Sequence, residues 1–351
     1  MKLNDSGITA ALAAAVLFGA GTPLAKLLLE HADPWLLAAL LYLGSGIGLW
    51  LLRKARRSPA AKLAHGDWRW MAGAVATGGV AGPVLLMTGL ASMSASSAAL
   101  LLNAEGVFTA LLAWFVFKEN FDRRIAFGMF AIVVGAVVLS WPVDGTVGLA
   151  SLWPALAVLG ACLAWAIDNN LTRKVALSDA SWIAMIKGFA AGATNLVLAV
   201  IMGASWPGAA SVLGAAIVGF LSYGASLTLF VVALRYLGTA RTGAYFSVAP
   251  FFGALMALAL LHEPVTVALL LGGALMCVGV MLHLTERHAH EHTHELLEHD
   301  HEHTHGVGDL HHDHMHDESI LTGTRHTHRH RHTPITHLHP HFPDAHHQHS
   351  H

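Results

Sequence analysis

Along the first 285 residues polar positions are sparse, and they gather in short gaps between long, nearly unbroken apolar runs. A helix needs about 20 mostly apolar residues to cross a bilayer. Ten runs meet that length within a few residues: 7–29, 34–52, 70–91, 97–117, 125–141, 151–171, 182–203, 212–234, 243–261 and 266–284. Each gap between them is too short for a folded domain, and the longest, 53–69, is strongly basic. The first run resembles a signal peptide, but it continues past Pro23 with no convincing cleavage site, so it reads as a spanning helix.

Lysine and arginine then orient the chain, because positive charge is retained on the cytoplasmic side. Arg53, Lys54, Arg56, Arg57, Lys62 and Arg69 lie in the second gap, Lys118, Arg123 and Arg124 in the fourth, Arg173 and Lys174 in the sixth, and Arg235 and Arg241 in the eighth. The intervening gaps (EHAD, SMSAS, PVDGTVGLA, ASWPGAAS and HEPV) carry neither residue. The alternation places both termini in the cytoplasm, and short loops without folded domains suit a bacterial inner membrane.

Composition strengthens this reading. The chain is 54 % hydrophobic and 12 % charged, whereas soluble domains carry about 25 % charged residues. Its net charge of −2 averages two unlike regions and is uninformative. Cys162 and Cys277 both lie within apolar runs and read as small buried hydrophobes, not as a disulfide or metal framework.

The chain also repeats itself. LNAEGVFTALLAWFVFKENFDRRIAFGMFAIVVG aligns with YFSVAPFFGALMALALLHEPVTVALLLGGALMCVG when Gly135 is set on Gly279. Glu119 then meets Glu263 and Gly128 meets Gly272, while LFGAGTPLAK of the first helix echoes AWAIDNNLTR of the sixth. Five spans per half is an odd number, so the second half enters the membrane inverted. Inverted halves around a midplane site are the architecture of alternating access. The expected fold is therefore all-α and integral to the membrane, with ten transmembrane helices in two inverted five-helix repeats. They divide as 1–141 and 142–285, followed by a disordered histidine-rich cytoplasmic tail, 286–351.

The segments AALLLNAEGVFTALLAWFVFKEN, SVAPFFGALMALALLHEP, LFGAGTPLAK and LAWAIDNNLTRK resemble the EamA-type branch of the drug/metabolite transporter superfamily, over about residues 7 to 284. The resemblance implies a ten-helix bundle around a central cavity, and a small solute as cargo without specifying which. Where many relatives carry proline in the fourth helix, as Pro250 stands in the ninth, this chain has Glu105–Gly106.

Ionisable groups within a span normally face a cavity or a partner. Glu105 stands near the middle of the fourth run beside Asn103, as a carboxyl able to exchange a proton or to pair with a cationic solute; the alternative is a protonated carboxyl bonded to a neighbouring helix. Asp168, Asn169 and Asn170 are either cavity lining in a locally unwound sixth helix or simply a helix end. Lys26 either lines the cavity or snorkels to the outer interface, and Lys187 reads as snorkelling toward the cytoplasm. Pro23, Pro83 and Pro250 free carbonyls within spans. Tyr223, Tyr245, Ser222 and Asn195 are further lining candidates. Glu119 and Glu263 read as structural groups at helix ends, and the glycines at 128, 135, 272 and 279 as close helix packing.

All 27 histidines except His31, His65 and His262 lie from His283 onward. They form H-x-H runs: His288, His290, His292 and His294; His299, His301, His303 and His305; His311, His312, His314 and His316; His326, His328, His330 and His332; and a last run at 337–341. Alternate imidazoles on an extended chain can chelate zinc, nickel or cobalt, with copper equally suited. Three roles remain open for this tail: a buffer for a metal exporter, a metal or pH sensor gating another solute, and an appendage with incidental affinity. No cofactor is required. The expected partners are the bilayer, a small solute and protons, with a homodimer allowed and no nucleic acid. The leading expectation is a secondary transporter exporting a small metabolite or drug-like solute, with a divalent-metal exporter and a non-transporting metal sensor or scaffold as alternatives. No catalytic pair or nucleotide loop suggests an enzyme.

Overall fold

The structure is a computed structural model that describes residues 2–58, 63, 65–117, 123–141, 148–173, 175, 179–284, 289–293, 297–304, 325–332 and 336–340. It divides into two units, Met1–Glu286 and Arg287–His351.

Among the described residues of the first unit, all regular elements are helices. Its helices are α1 (Lys2–Leu28), α2 (Pro34–Ala55), α3 (Trp68–Ala74), α4 (Gly82–Ala91), α5 (Ala95–Leu101), α6 (Ala104–Phe117), α7 (Arg123–Ser140), α8 (Leu149–Arg173), α9 (Ala180–Ile201), α10 (Ala209–Gly219), α11 (Ser226–Phe246), α12 (Ala249–Leu261) and α13 (Val267–Leu284). Two π-helical segments, Val75–Ala81 and Phe220–Ala225, join α3 to α4 and α10 to α11.

Among the described residues, seven helical stretches are long and apolar enough to cross a membrane, with three shorter apolar helices, Ala126–Ser140, Ala249–Leu261 and Val267–Leu282. Seven full-length stretches are fewer than the ten expected, because three of the expected runs are realised as these shorter helices. Large apolar side chains such as Phe130, Leu213 and Leu270 point outward, each more than half exposed. A soluble protein buries such groups, so lipid is their solvent and the chain is a multi-pass membrane protein.

Helix starts and breaks follow local chemistry. Asp33 caps α2, its carboxylate accepting the Trp35 amide, and Pro34 opens the first turn, where its missing N–H costs nothing. The fourth run, expected as one helix, is interrupted at Leu102–Asn103. There the amides of Leu102 and Asn103 reach back three residues, to Ala99 and Leu100, and the Asn103 side chain donates to the Leu100 carbonyl at 2.8 Å. Asparagine thus competes with the helical ladder for its own backbone. The gap expected at 235–242 is helical instead: α11 continues to Phe246, and the chain turns at Ser247–Val248.

Small residues set the packing. α2 lies against α9, α7 against α13, and α8 against α4 and α6. A β-carbon on Gly188 would sit 2.7 Å from the Gly46 amide nitrogen, and one on Gly135 would sit 2.8 Å from the Gly272 carbonyl, so both crossings require glycine. The pairings of 135 with 272 and of 279 with 128 match the packing role expected of these glycines.

In the second unit, where the sequence suggests disorder, the described residues form two antiparallel ribbons, Ala289–Thr293 with Thr336–Pro340 and Leu297–Thr304 with Arg325–His332.

Candidate functional site

Pro83 organises the most polar part of the helical unit. It has no N–H, so it cannot serve Gly79 as the fourth residue on or Gly78 as the fifth. The chain adopts the π form here, the Gly82 amide reaching back to Thr77. The two orphaned carbonyls are claimed by side chains from three other helices. Gly78 accepts from the Tyr42 hydroxyl at 2.8 Å and from the Trp165 indole N–H at 2.9 Å. Gly79 accepts from the Asn195 amide at 2.9 Å. These donors fix α2, α8 and α9 around the π segment.

Asp168, one turn beyond Trp165 on α8, is buried against Gly78, where any β-carbon would collide with its carboxylate. Both of its oxygens accept from Lys187 of α9 at 2.6 Å, and the Thr172 hydroxyl donates to it at 2.8 Å. The pair is little exposed, 9 % for the acid and 16 % for the base. Lys187 therefore turns inward to a carboxylate and does not snorkel, as the sequence alone suggested.

α8 runs beside the interrupted fourth span. The Cys162 thiol lies 3.6 Å from the Leu101 carbonyl, and two turns on the Asn169 side chain donates to Glu105 Oε1 at 2.8 Å. Glu105 is partly buried, Asn169 is exposed, and a β-carbon on Gly106 would meet nothing within 4 Å. Tyr42 and Trp165 share the Gly78 carbonyl, Asp168 packs on Gly78, and Asn169, next along α8, holds Glu105. Deep polar groups that keep accessible surface line an opening, not lipid. The Tyr42 ring packs on Tyr223 at 5.5 Å between centroids, and Tyr223 meets Phe18 edge-on at 6.1 Å. Glu105, Asn169, Tyr42 and Tyr223 thus belong to one region.

Other sequence candidates lie elsewhere. Asn103 is buried at the helix break, its amide 3.9 Å from the Met276 sulfur. Asn170 bonds back to the Ala166 carbonyl of its own helix. The Lys26 ammonium closes the end of α4, donating to the carbonyls of Leu90, Ala91 and Met93. Glu263 accepts from the amides of Ala95 and Ser96 and so starts α5. Pro250, expected within a span, instead occupies the first turn of α12. Tyr245 packs beside Ala10, Ala11 and Ala233. Nothing in the sequence marks Tyr42 and Trp165 as site residues. Their hydroxyl and indole are ordinary in apolar helices, and only the fold shows which carbonyl they serve.

Among the described residues, no three or more His, Cys, Asp or Glu side chains gather as metal ligands. Glu119 and, of the histidines in the H-x-H runs, His288, His294, His305, His311, His312, His314, His316 and His341 lie outside the described residues. In the ribbons, His299 stands opposite His330, His301 opposite His328, and His303 opposite His326; His290 and His292 stand opposite His339 and His337.

The EamA-like transporter family matches residues 5–141 and again 152–285. A protein of Methanothermobacter thermautotrophicus described as an uncharacterized transporter is 26 % identical over 292 residues, covering 79 % of this chain and 85 % of its own length. A crystal structure is similar in fold, with a TM-score of 0.59 at 17 % identity, covering 79 % of this chain and 96 % of the other.

Proposed function

Because the chain belongs to the EamA-like transporter family, we propose that it is a secondary transporter that moves a small organic solute outward across the bacterial inner membrane by alternating access, with Glu105 exchanging a proton. The observation that carries this reading is the accessible Glu105–Asn169 pair deep within the spans, beside the Asp168–Lys187 ion pair. A carboxyl at that depth with one neutral partner can be neutralised by a proton or by a solute, which is what coupling needs.

Several correspondences support two inverted halves. In the register that sets Gly135 on Gly279, α7 and α13 start and end together, and α6 and α12 end together. The π segments end together, at Ala81 and Ala225, and the Asn103 break falls on Ser247. Packing also exchanges between halves: α6 on α8 answers α12 on α1, and α4 on α8 answers α11 on α1. The family's matching twice along the chain agrees with this.

We read the tail as a cytoplasmic segment that binds zinc, nickel or cobalt, supported by the His-on-His register of its ribbons. That register favours binding by the tail and says nothing of cargo.

The test is growth of a sensitive bacterial host under a panel of metals, amino acids and drugs. It compares the full chain, the chain ended after Thr285, and Glu105→Gln. Resistance to an organic solute that survives truncation and is lost in Glu105→Gln is the expected result. Resistance to a metal that requires both the tail and Glu105 would replace it with metal export.

A further inference from the structure

The charges around the opening do not balance. Asp168 is matched by Lys187 at 2.6 Å to both oxygens, whereas Glu105 has for its partner only the neutral amide of Asn169. Among the described residues no lysine or arginine pairs with Glu105. The region therefore carries one net negative charge when Glu105 is ionised, and an ionised carboxylate away from bulk water needs a cation.

The surroundings narrow the kind of cation. Tyr42 and Tyr223 pack at 5.5 Å between centroids with their rings tilted by 33°, both partly buried, and Phe18 meets Tyr223 edge-on. Tyr42 has its hydroxyl committed to Gly78, so what it offers the opening is its ring. Aromatic faces attract ammonium groups and apolar rings alike. One turn past Glu105 on the same face of α6, the Thr109 hydroxyl is buried without a hydrogen-bond partner among the described residues. A buried hydroxyl left unpaired is costly and is satisfied when a donor or acceptor arrives. A bare metal ion would find one carboxylate and one amide oxygen here, a poor ligand set for soft or borderline ions.

Resting on the transporter reading above, we propose that this opening binds a protonated amine attached to an aromatic or apolar body. Its ammonium pairs with the Glu105 carboxylate, steadied by Asn169, and its body packs on the Tyr42–Tyr223 pair. Proton and ammonium compete for the same carboxylate, so binding to the protonated site releases that proton to water.

The experiment uses the purified full chain in lipid nanodiscs and three matched probes: 2-phenylethylammonium, neutral 2-phenylethanol and anionic 3-phenylpropionate. Calorimetry is expected to show the ammonium binding at least about tenfold more tightly than the alcohol, as a charge-assisted bond implies, and the anion not binding. Glu105→Gln is expected to bring the two affinities together, Glu105→Asp to keep most of the preference, and Tyr223→Leu to weaken both ligands. Equal affinity for ammonium and alcohol, no binding of the ammonium, or a preference that survives in a Glu105→Gln protein of unchanged elution and melting would each overturn the proposal. Proton-driven uptake in proteoliposomes tests the transporter reading separately. Flux of another solute without amine binding sinks the substrate class alone, and amine binding without any flux sinks transport alone.

Discussion

An ammonium inside a membrane segment is tolerated only when it is paired, and Lys187 is held by both oxygens of Asp168, with Thr172 at 3.3 Å. Removing one partner leaves the other charge buried and alone, which costs about 3–5 kcal/mol. Asp168→Ala and Lys187→Ala should each lower the unfolding free energy by about that much, and Asp168→Asn with Lys187→Met together by less than either. Stability in denaturant measures both, and additive losses would argue against a coupled pair. Lys187 shows where sequence reading stops. Its presence in a span was visible, but snorkelling and pairing look the same until α8 and α9 are placed side by side. Glu105 was legible because a mid-span carboxyl is rare enough to stand out alone. Its partner Asn169 was legible only as one of three polar neighbours, with nothing in the chain to say which of Asp168, Asn169 and Asn170 faced it.

At the scale of elements, one missing amide reshapes a helix. Pro83 leaves Gly79 to Asn195, whose own Oδ1 has no partner among the described residues. A half-satisfied amide is retained there because the Gly79 carbonyl needs a donor. Asn195→Ala should therefore cost about 1–3 kcal/mol, and markedly less in a Pro83→Ala background, where a backbone amide becomes available to Gly79. Equal costs in both backgrounds would mean that Asn195 acts by packing alone. The start of α9 gives a pH test. Burial works to raise the Asp179 carboxyl, but the Arg53 guanidinium at 2.7 Å, the Ser181 hydroxyl and the Trp182 amide outweigh it and hold the group below the usual carboxylate range. A lowered folded-state value means the stabilisation is complete above the ordinary carboxylate pKa of about 3.9 and disappears as pH falls through the lowered one. The melting temperature of wild type should exceed that of Asp179→Asn near neutrality, and the gap should close in acid; a gap independent of pH would leave Asp179 as a neutral cap. Membrane residence and seven long apolar helices were readable from apolar run length, since lipid imposes a minimum length on a crossing; the limits of the other three runs were not. The π segments and the Asn103 break were not, because they depend on which side chain from another helix reaches a freed carbonyl.

For the whole molecule, the count of crossings decides the proposed mechanism, since an odd number per half would invert the second half and let two similar bundles exchange roles. The basic residues alternate along the sequence as ten spans require, yet Arg235 and Arg241 lie within α11 and three of the helices are short by length alone. Short helices still cross when the bilayer thins locally or their flanking residues reach for the interface, and α7, α12 and α13 are packed against other helices, α7 with α13 and α12 with α1 and α5. Ten crossings would fix which face each loop meets. In a background with Cys162→Ala and Cys277→Ala, single cysteines at Ser58, Ser92, Gly145 and Gly208 should react with an impermeant maleimide as follows: Ser92→Cys, Gly145→Cys and Gly208→Cys from outside intact cells, and Ser58→Cys only after lysis. If α7 failed to cross, Gly145→Cys would be shielded in intact cells while Ser92→Cys reacted. The two halves would then not be inverted, and alternating access between them would lose its structural basis.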